Sequence, residues 1–185
     1  MALGRWLRSV RAGDRHLAWN EPALAGLPDT IRLESPQFAD GGALAPRHAG
    51  PGVGDNVSPA LRWSPGPAGT AEFVLIVQDP DAPLPRPVVH AIATGIPANR
   101  TELAEGALQP GADAAIRLGK GFRGHVGWSG PRPVRGHGAH RYVFQIVALD
   151  RPSGLAATPG LAAVLRAIQG HALARGRLVA RYERP

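Results

Sequence analysis

The chain has no cysteine, so it can form no disulfide and offers neither a thiolate nucleophile nor a Cys-bearing zinc site. It has one lysine, Lys120, and its formal net charge of +7 is therefore carried almost wholly by arginine. The forked, planar guanidinium suits bidentate recognition of phosphate or carboxylate better than an ammonium does. No apolar run approaches the roughly 18 residues needed to cross a bilayer. Residues 1–10 mix basic and apolar side chains, without the apolar stretch and small-residue cleavage site of a secretory signal. A soluble, cytoplasmic protein is expected, in keeping with the missing cysteines. Aromatic residues make up only 5% of the chain and no nucleic-acid-binding motif occurs, so nucleic acid is not an expected partner. One stretch lacks acidic residues altogether. Between Ala114 and Leu149 there is no Asp or Glu, while Arg117, Lys120, Arg123, Arg132, Arg135 and Arg141 all fall there. That stretch should set up a local positive field that concentrates anions.

Glycine and proline, in contrast, are abundant: 24 and 19 of 185 residues, more than a fifth, spread without a repeat. They imply many tight turns and long loops and favour a β-rich architecture over a helical bundle. The hydrophobic fraction of 44% suits one globular domain with a substantial core. Residues 73–77 are a continuous apolar run of strand formers, so 72–78 is read as a buried strand. Further strands are expected at 31–34, 61–64, 88–96, 142–149 and 178–182, the fourth of these with strict alternation from Tyr142 onward. Thr158-Pro159 reads as an N-cap and first-turn proline of one helix over 159–174, closed by Gly176. No βαβ rhythm is present, and the expected class is mainly β and predominantly antiparallel. Residues 1–27 read as a basic amphipathic arm attached to a domain at 28–185. Leu3, Trp6, Leu7 and Val10 recur at helical spacing, with Arg5, Arg8, Arg11 and Arg15 on other faces. The arm is expected to dock on its own domain or on a second copy in a homodimer rather than on a membrane.

Asp79-Pro80-Asp81-Ala82-Pro83 follows the buried strand directly. Two prolines stiffen the segment, and acids at i and i+2 point the same way if it is extended. His90 opens the next apolar strand, and the acidic turn can fold back beside it. A carboxylate beside an imidazole orients the ring and favours its protonated form, a double donor suited to phosphate. Gly127-Trp128-Ser129-Gly130-Pro131-Arg132-Pro133 is a loop whose amides could approach an anion closely.

In order along the chain stand Asp55-Asn56-Val57-Ser58-Pro59-Ala60-Leu61-Arg62-Trp63, the Asp79 to Pro83 turn, His90, the glycine-rich loop and Ala139-His140-Arg141-Tyr142. This series resembles the phosphatidylethanolamine-binding protein family, which includes the Raf kinase inhibitor protein and bacterial relatives. The resemblance spans roughly residues 36–184, including Gly170-His171-Ala172-Leu173-Ala174 before Tyr182-Glu183-Arg184. It implies a large antiparallel sheet packed on a smaller one, with few peripheral helices and a pocket for phosphate-like anions and phospholipid head groups. It places Asp79, His90, Gly130, Pro131, His140 and Tyr142 around that pocket, with Trp128 as a wall and Asp81 and Arg141 in support. It also implies a cis bond at Ala82-Pro83, and a regulatory or inhibitory role toward a kinase or protease with no partner identified. The chain departs from the family at Val89, where an aromatic residue is common, at Trp128, where bacterial members carry tyrosine, and at Val134, where a second proline is common.

The expected function is small-anion binding without catalysis or a cofactor. Two other readings use the same residues. Gly127-Trp128-Ser129-Gly130 superficially matches a hydrolase nucleophile elbow, but Pro131 and Pro133 oppose the helix that must follow. His90, His125, His137 and His140 with Asp79 are the alternative zinc ligands.

Overall fold

The unbroken apolar run at residues 73–77 leaves strand β3 (Glu72–Asp79) no face for solvent, and every residue in it is buried. In the computed structural model, which describes residues 4 and 6–184, β3 is the centre of a five-stranded antiparallel sheet. Its neighbours are β4 (Val88–Pro97) and β7 (His140–Leu149), flanked by β6 (Arg117–Leu118) and β8 (Ala172–Tyr182) in the order β6-β4-β3-β7-β8. A smaller antiparallel sheet is made of β1 (Leu33–Glu34), β2 (Leu61–Trp63) and β5 (Glu102–Leu103) in the order β1-β2-β5.

Alternation along the central strands divides the core. Phe73, Leu75 and Val77 of β3, with Tyr142, Phe144 and Ile146 of β7, pack against Leu33, Leu61, Trp63 and Leu103 of the small sheet. Val74, Ile76, Val147 and Leu149 face the other way and pack against Ala18, Leu24 and the helix residues Val164 and Ile168. The expected mainly β architecture of a large sheet on a smaller one is what forms.

The N-terminal segment is not a separable arm. Ala12 and Gly13 bond the acidic turn, and from Leu17 the segment lies across the back of the large sheet, where Leu17, Ala18, Trp19 and Leu24 are buried. Two buried amides on that face hold it: Gln78 Oε1 accepts from Ala18 N at 2.7 Å and Gln145 Oε1 from Trp19 N at 2.7 Å. Arg175 lies 3.8 Å over the Trp19 ring and donates to the carbonyls of Trp19 and Leu24. The segment thus docks on its own domain, and the packing unit does not begin at residue 28. Of the expected apolar stripe, Trp6 is 85% exposed and Val10 45%, while Leu3, like Arg5, lies outside the described residues.

The other differences lie at the C-terminal end. The helix α1 covers only Leu161–Ile168, with Gly160 rather than Thr158 at its N-cap. The chain then reverses at Gly170, whose φ of +79 suits glycine. Strand β8 starts at Ala172, not 178, and Gly176 lies inside it opposite Ile146 instead of ending a helix. The reason is a period of two: Ala174, Gly176, Leu178 and Ala180 turn inward while Arg177 and Arg181 stay exposed. β5 and β6 have two residues each, too few to show any periodicity.

Because Leu24 is fully buried under the sheet, Leu24→Ala is expected to lower unfolding stability by about 2–5 kcal/mol in a urea titration. A change below about 0.5 kcal/mol, the level typical of surface positions, would show that the segment does not belong to the core.

Candidate functional site

Antiparallel pairing brings the end of β3 beside the starts of β4 and β7, with Asp79 opposite Val88 and Gln78 opposite Val143. The chemistry-bearing residues therefore gather at one end of the large sheet. Asp79 is buried and uses both carboxyl oxygens. Oδ1 accepts from the amides of Asp81 at 2.7 Å and Ala82 at 3.1 Å, so the aspartate caps its own turn. Oδ2 meets His140 Nδ1 at 2.7 Å and stands 3.9 Å from His90 Nε2. Asp79, His90 and His140 thus converge as expected.

The Ala82-Pro83 bond is trans, since no cis peptide occurs among the described residues. Asp79 fixes the amides before it, and Leu84 N donates to Ala82 O at 2.8 Å, closing the turn around Pro83. Those bonds form with the trans isomer, which X-Pro peptides favour by about 0.5–1 kcal/mol.

His90 is tied to the loop by a reciprocal pair. Its Nδ1 donates to Ser129 O, and Ser129 N donates to His90 O at 2.8 Å. The carbonyl can only accept, so Nδ1 carries the proton, and the buried Nε2 is left without a partner. The ring stands edge-on to Tyr142, centroids 4.9 Å apart, and the Tyr142 hydroxyl is also buried and unpartnered. Burial pushes the His90 imidazole below its ordinary value, with His140 adding to that, against the opposing pull of Asp79 and the Ser129 carbonyl. Burial, then the charges of Asp79 and Asp81, pushes the Tyr142 phenol far up, so it remains a neutral donor.

His140 Nε2 meets His137 Nδ1 at 2.7 Å, and His137 Nε2 reaches the carbonyl of Val10 at 3.2 Å. His125 is turned away onto the Trp128 carbonyl. Among the described residues no three His, Asp or Glu side chains form a metal-ligand set. Ser129 sits in an irregular loop with no helix after it, so the strand-turn-helix geometry of a nucleophile elbow is not formed.

A cleft of about 290 Å³ opens above this cluster. Asp79, His90, His140 and Tyr142 border it together with Gly130, and Leu84, Val88, Phe122 and Val134 form apolar walls. Arg132 supplies the one lining guanidinium. Four expected site residues do not line it. Asp81 turns away to Arg141, receiving its amide and Nε at 2.8 Å each and Nη2 at 2.9 Å, and to Arg11 at 3.1 Å. Burial alone would raise the Asp81 carboxyl, but the Arg141 bonds outweigh it and hold the group below its usual value. Arg141 also spans to Asp14 at 2.9 Å, so both residues brace the acidic turn and the N-terminal segment. Trp128 is fully buried in the core, stacked on Phe144 at 6.0 Å with its indole N–H on His48 O. Its large apolar ring gains more there than at a wet rim. Pro131, within the loop, is buried, its carbonyl accepting from Gly50 N at 3.0 Å.

The amides of Gly127, Trp128, Ser129 and Gly130 are bonded within the protein. Gly130 N donates to Asn56 Oδ1 at 2.8 Å, and a Cβ on Gly130 would come 2.3 Å from His48 O. The glycine lets the loop press against residues 48–50 and hold His90, rather than offering amides to a ligand. The sequence reading missed Leu84, Val88, Phe122, Arg132 and Val134 as walls. Each is close in the chain to a motif residue, which was the available signal.

Residues 34–183 match the family described as Phosphatidylethanolamine-binding protein. A UPF0098 protein of Aquifex aeolicus is 38% identical over 133 residues, covering 71% of this chain and 77% of that protein. A putative lipoprotein, LppC, of Mycobacterium tuberculosis is 38% identical over 166 residues, 88% of this chain and 76% of that one. Among solved structures, Escherichia coli YbcL, described as a new member of the mammalian PEBP family, superposes with a TM-score of 0.77 at 28% identity. It matches over 84% of this chain and 99% of its own. With the fold, the matched segment and these relatives in agreement, the chain belongs to the phosphatidylethanolamine-binding protein family.

Proposed function

We propose that the protein binds a small phosphate-like anion in the cleft above Asp79, His90 and His140, and acts by binding rather than catalysis. The observation that carries this is the pair of buried, unpartnered polar atoms, His90 Nε2 and the Tyr142 hydroxyl, on two residues that line one cleft. Leaving such atoms without partners is costly, and a ligand oxygen would satisfy both. Tyr142 donates its hydroxyl proton directly. His90 donates only after Nε2 takes up a proton, and Asp79 Oδ2 at 3.9 Å supports the resulting positive charge. Arg132 and the acid-free stretch containing it draw the anion in. A volume of about 290 Å³ holds roughly nine groups of about 30 Å³ each, enough for phosphate or phosphoethanolamine.

Anion binding is therefore linked to protonation of His90. Sulfate keeps its charge across the useful range, so any pH dependence reports the protein. Sulfate affinity measured by calorimetry is expected to rise at least several-fold from pH 8 to pH 6, with proton uptake. Equal affinity at the two pH values would contradict the role given to His90.

The same linkage governs the empty protein. Because burial lowers the His90 value in the fold, the unfolded chain binds the extra proton more readily. The stability contributed by keeping His90 neutral is present above the ordinary imidazole value and is lost as pH falls through it. Thermal melts should show a loss below about pH 6.5 that added sulfate offsets, and His90→Gln should reduce both effects. Sulfate stabilisation unaltered in His90→Gln would count against the site.

Tyr142→Phe removes one donor and also the unpartnered hydroxyl. It is expected to leave the melting temperature unchanged or raised, while weakening sulfate binding about 10- to 100-fold, the equivalent of one hydrogen bond to a charged group. Unweakened binding would exclude the hydroxyl as a ligand contact.

A further inference from the structure

From Asp79 a line of polar atoms runs into the N-terminal segment. His140 Nδ1 stands 2.7 Å from Asp79 Oδ2, His140 Nε2 stands 2.7 Å from His137 Nδ1, and His137 Nε2 is 3.2 Å from Val10 O. All three side chains are buried, and His137 does not line the cleft. The N-terminal segment grips the turn that carries His137. Arg8 Nε donates to Gly136 O at 2.9 Å and Arg11 Nη1 to Ala139 O at 3.3 Å. Just after them, Ala12 N and Gly13 N donate to Ala82 O and Pro80 O of the acidic turn, at 2.9 and 2.8 Å. Residues 8–13 thus tie together the stretches that flank Asp79 and His140.

Counting protons along this line fixes its charge. The Val10 carbonyl only accepts, so His137 Nε2 carries a proton. Each of the three bonds needs one proton, whereas a carboxylate and two neutral imidazoles supply only two. The third sits on a ring rather than on Asp79. Imidazole is the stronger base, and Asp79 Oδ1 already accepts from two amides, which favours the carboxylate. Burial favours the same count, since the three groups then have no net charge where a lone anion would be costly. The neighbouring groups do not displace the proton. Asp81 is paired with Arg141 and Arg11, and Arg141 also with Asp14. Tyr142 stays a neutral phenol, and His90, 3.9 Å from Asp79 Oδ2, is held neutral by burial.

We infer that His137, clasped by the N-terminal segment, is a positioning residue for the anion site: it accepts from His140 Nε2, so that His140 keeps a proton on each ring nitrogen and donates from Nδ1 to Asp79. The two rings then carry three protons on four nitrogens, with His137 Nδ1 the bare one. The inference rests on the anion-binding reading only for the use made of this charge. An unneutralised Asp79 would repel an anion in the cleft, and the His140 imidazolium cancels it. The same positive ring opposes a second one at His90, in keeping with a His90 that stays neutral until an anion arrives.

Nitrogen-15 spectra of the histidine rings in the full chain, without sulfate and at about pH 7.5, where a free imidazole is mostly neutral, test the count. Three protonated nitrogens are expected between His137 and His140. Only two would overturn the inference, and that result needs no variant. His137→Leu, which offers no acceptor, should leave His140 with a proton on Nδ1 alone. By calorimetry at the same pH it should weaken sulfate binding at least about fivefold, through the lost positive charge. His137→Asn, whose side-chain oxygen can take the place of Nδ1, should keep both His140 protons and near-wild-type sulfate affinity. A His140 ring still doubly protonated in His137→Leu would overturn the role given to His137. Equal weakening by the two variants would overturn it too, by marking a merely structural residue. If the wild type binds no sulfate, the anion reading fails, and the spectra still decide the proton count.

Discussion

The carboxyl group of Asp79 is the constraint from which the rest of the site follows. It ends the most buried strand of the protein, where an acid is expensive unless every oxygen finds a partner. One oxygen caps the acidic turn through two amides, and the other takes His140. The turn, the imidazole and the strand end are thereby fixed by a single side chain. Breaking a buried pair of this kind by removing one partner costs on the order of 3–5 kcal/mol, so the arrangement stabilises the fold as well as shaping the cleft.

Around that centre, most charge is already matched before any ligand arrives. Asp81 is held by Arg141 and Arg11, and Arg141 in turn by Asp14, which stitches the N-terminal segment to the acidic turn. His137 closes the far side of His140 and bonds the Val10 carbonyl. Two polar atoms of cleft-lining residues remain buried without a partner: an imidazole nitrogen and a phenolic hydroxyl. The loop after β6 serves this by fastening His90 from behind, and its glycine is required by contact with residues 48–50, not by contact with a ligand.

The parts of this legible in the sequence were those with strong periodicity or covalent stiffness. The run at residues 73–77 and the alternation from Tyr142 marked the two central strands, with Asp79 and His140 at their ends and His90 near the start of β4. The burial of the N-terminal segment was not legible, because it depends on Gln78 and Gln145 turning from the back of the sheet to take the amides of Ala18 and Trp19. Two glutamines inside apolar strands carry no local sign of what they bind. β8 was read as partly helical because its leucine and alanine residues suit a helix as well as a strand, and only pairing with β7 decides between them. Trp128 was misplaced because its chain neighbours are site residues, whereas its ring points into the core. Walls such as Leu84 and Phe122 are set by tertiary placement, and their position beside the cleft appears only once the turn and β4 are assembled.

The central claim is that His90 waits with its outer nitrogen bare and becomes a charged donor when an anion arrives. Nitrogen-15 spectroscopy of the histidine rings tests it most directly, at a pH just above neutral with and without saturating sulfate. The account predicts that His90 in the free protein carries one proton, on Nδ1, and that sulfate brings Nε2 to the shift of a protonated nitrogen. A proton on Nε2 in the free protein, or a His90 ring unchanged by sulfate that binds, would contradict it.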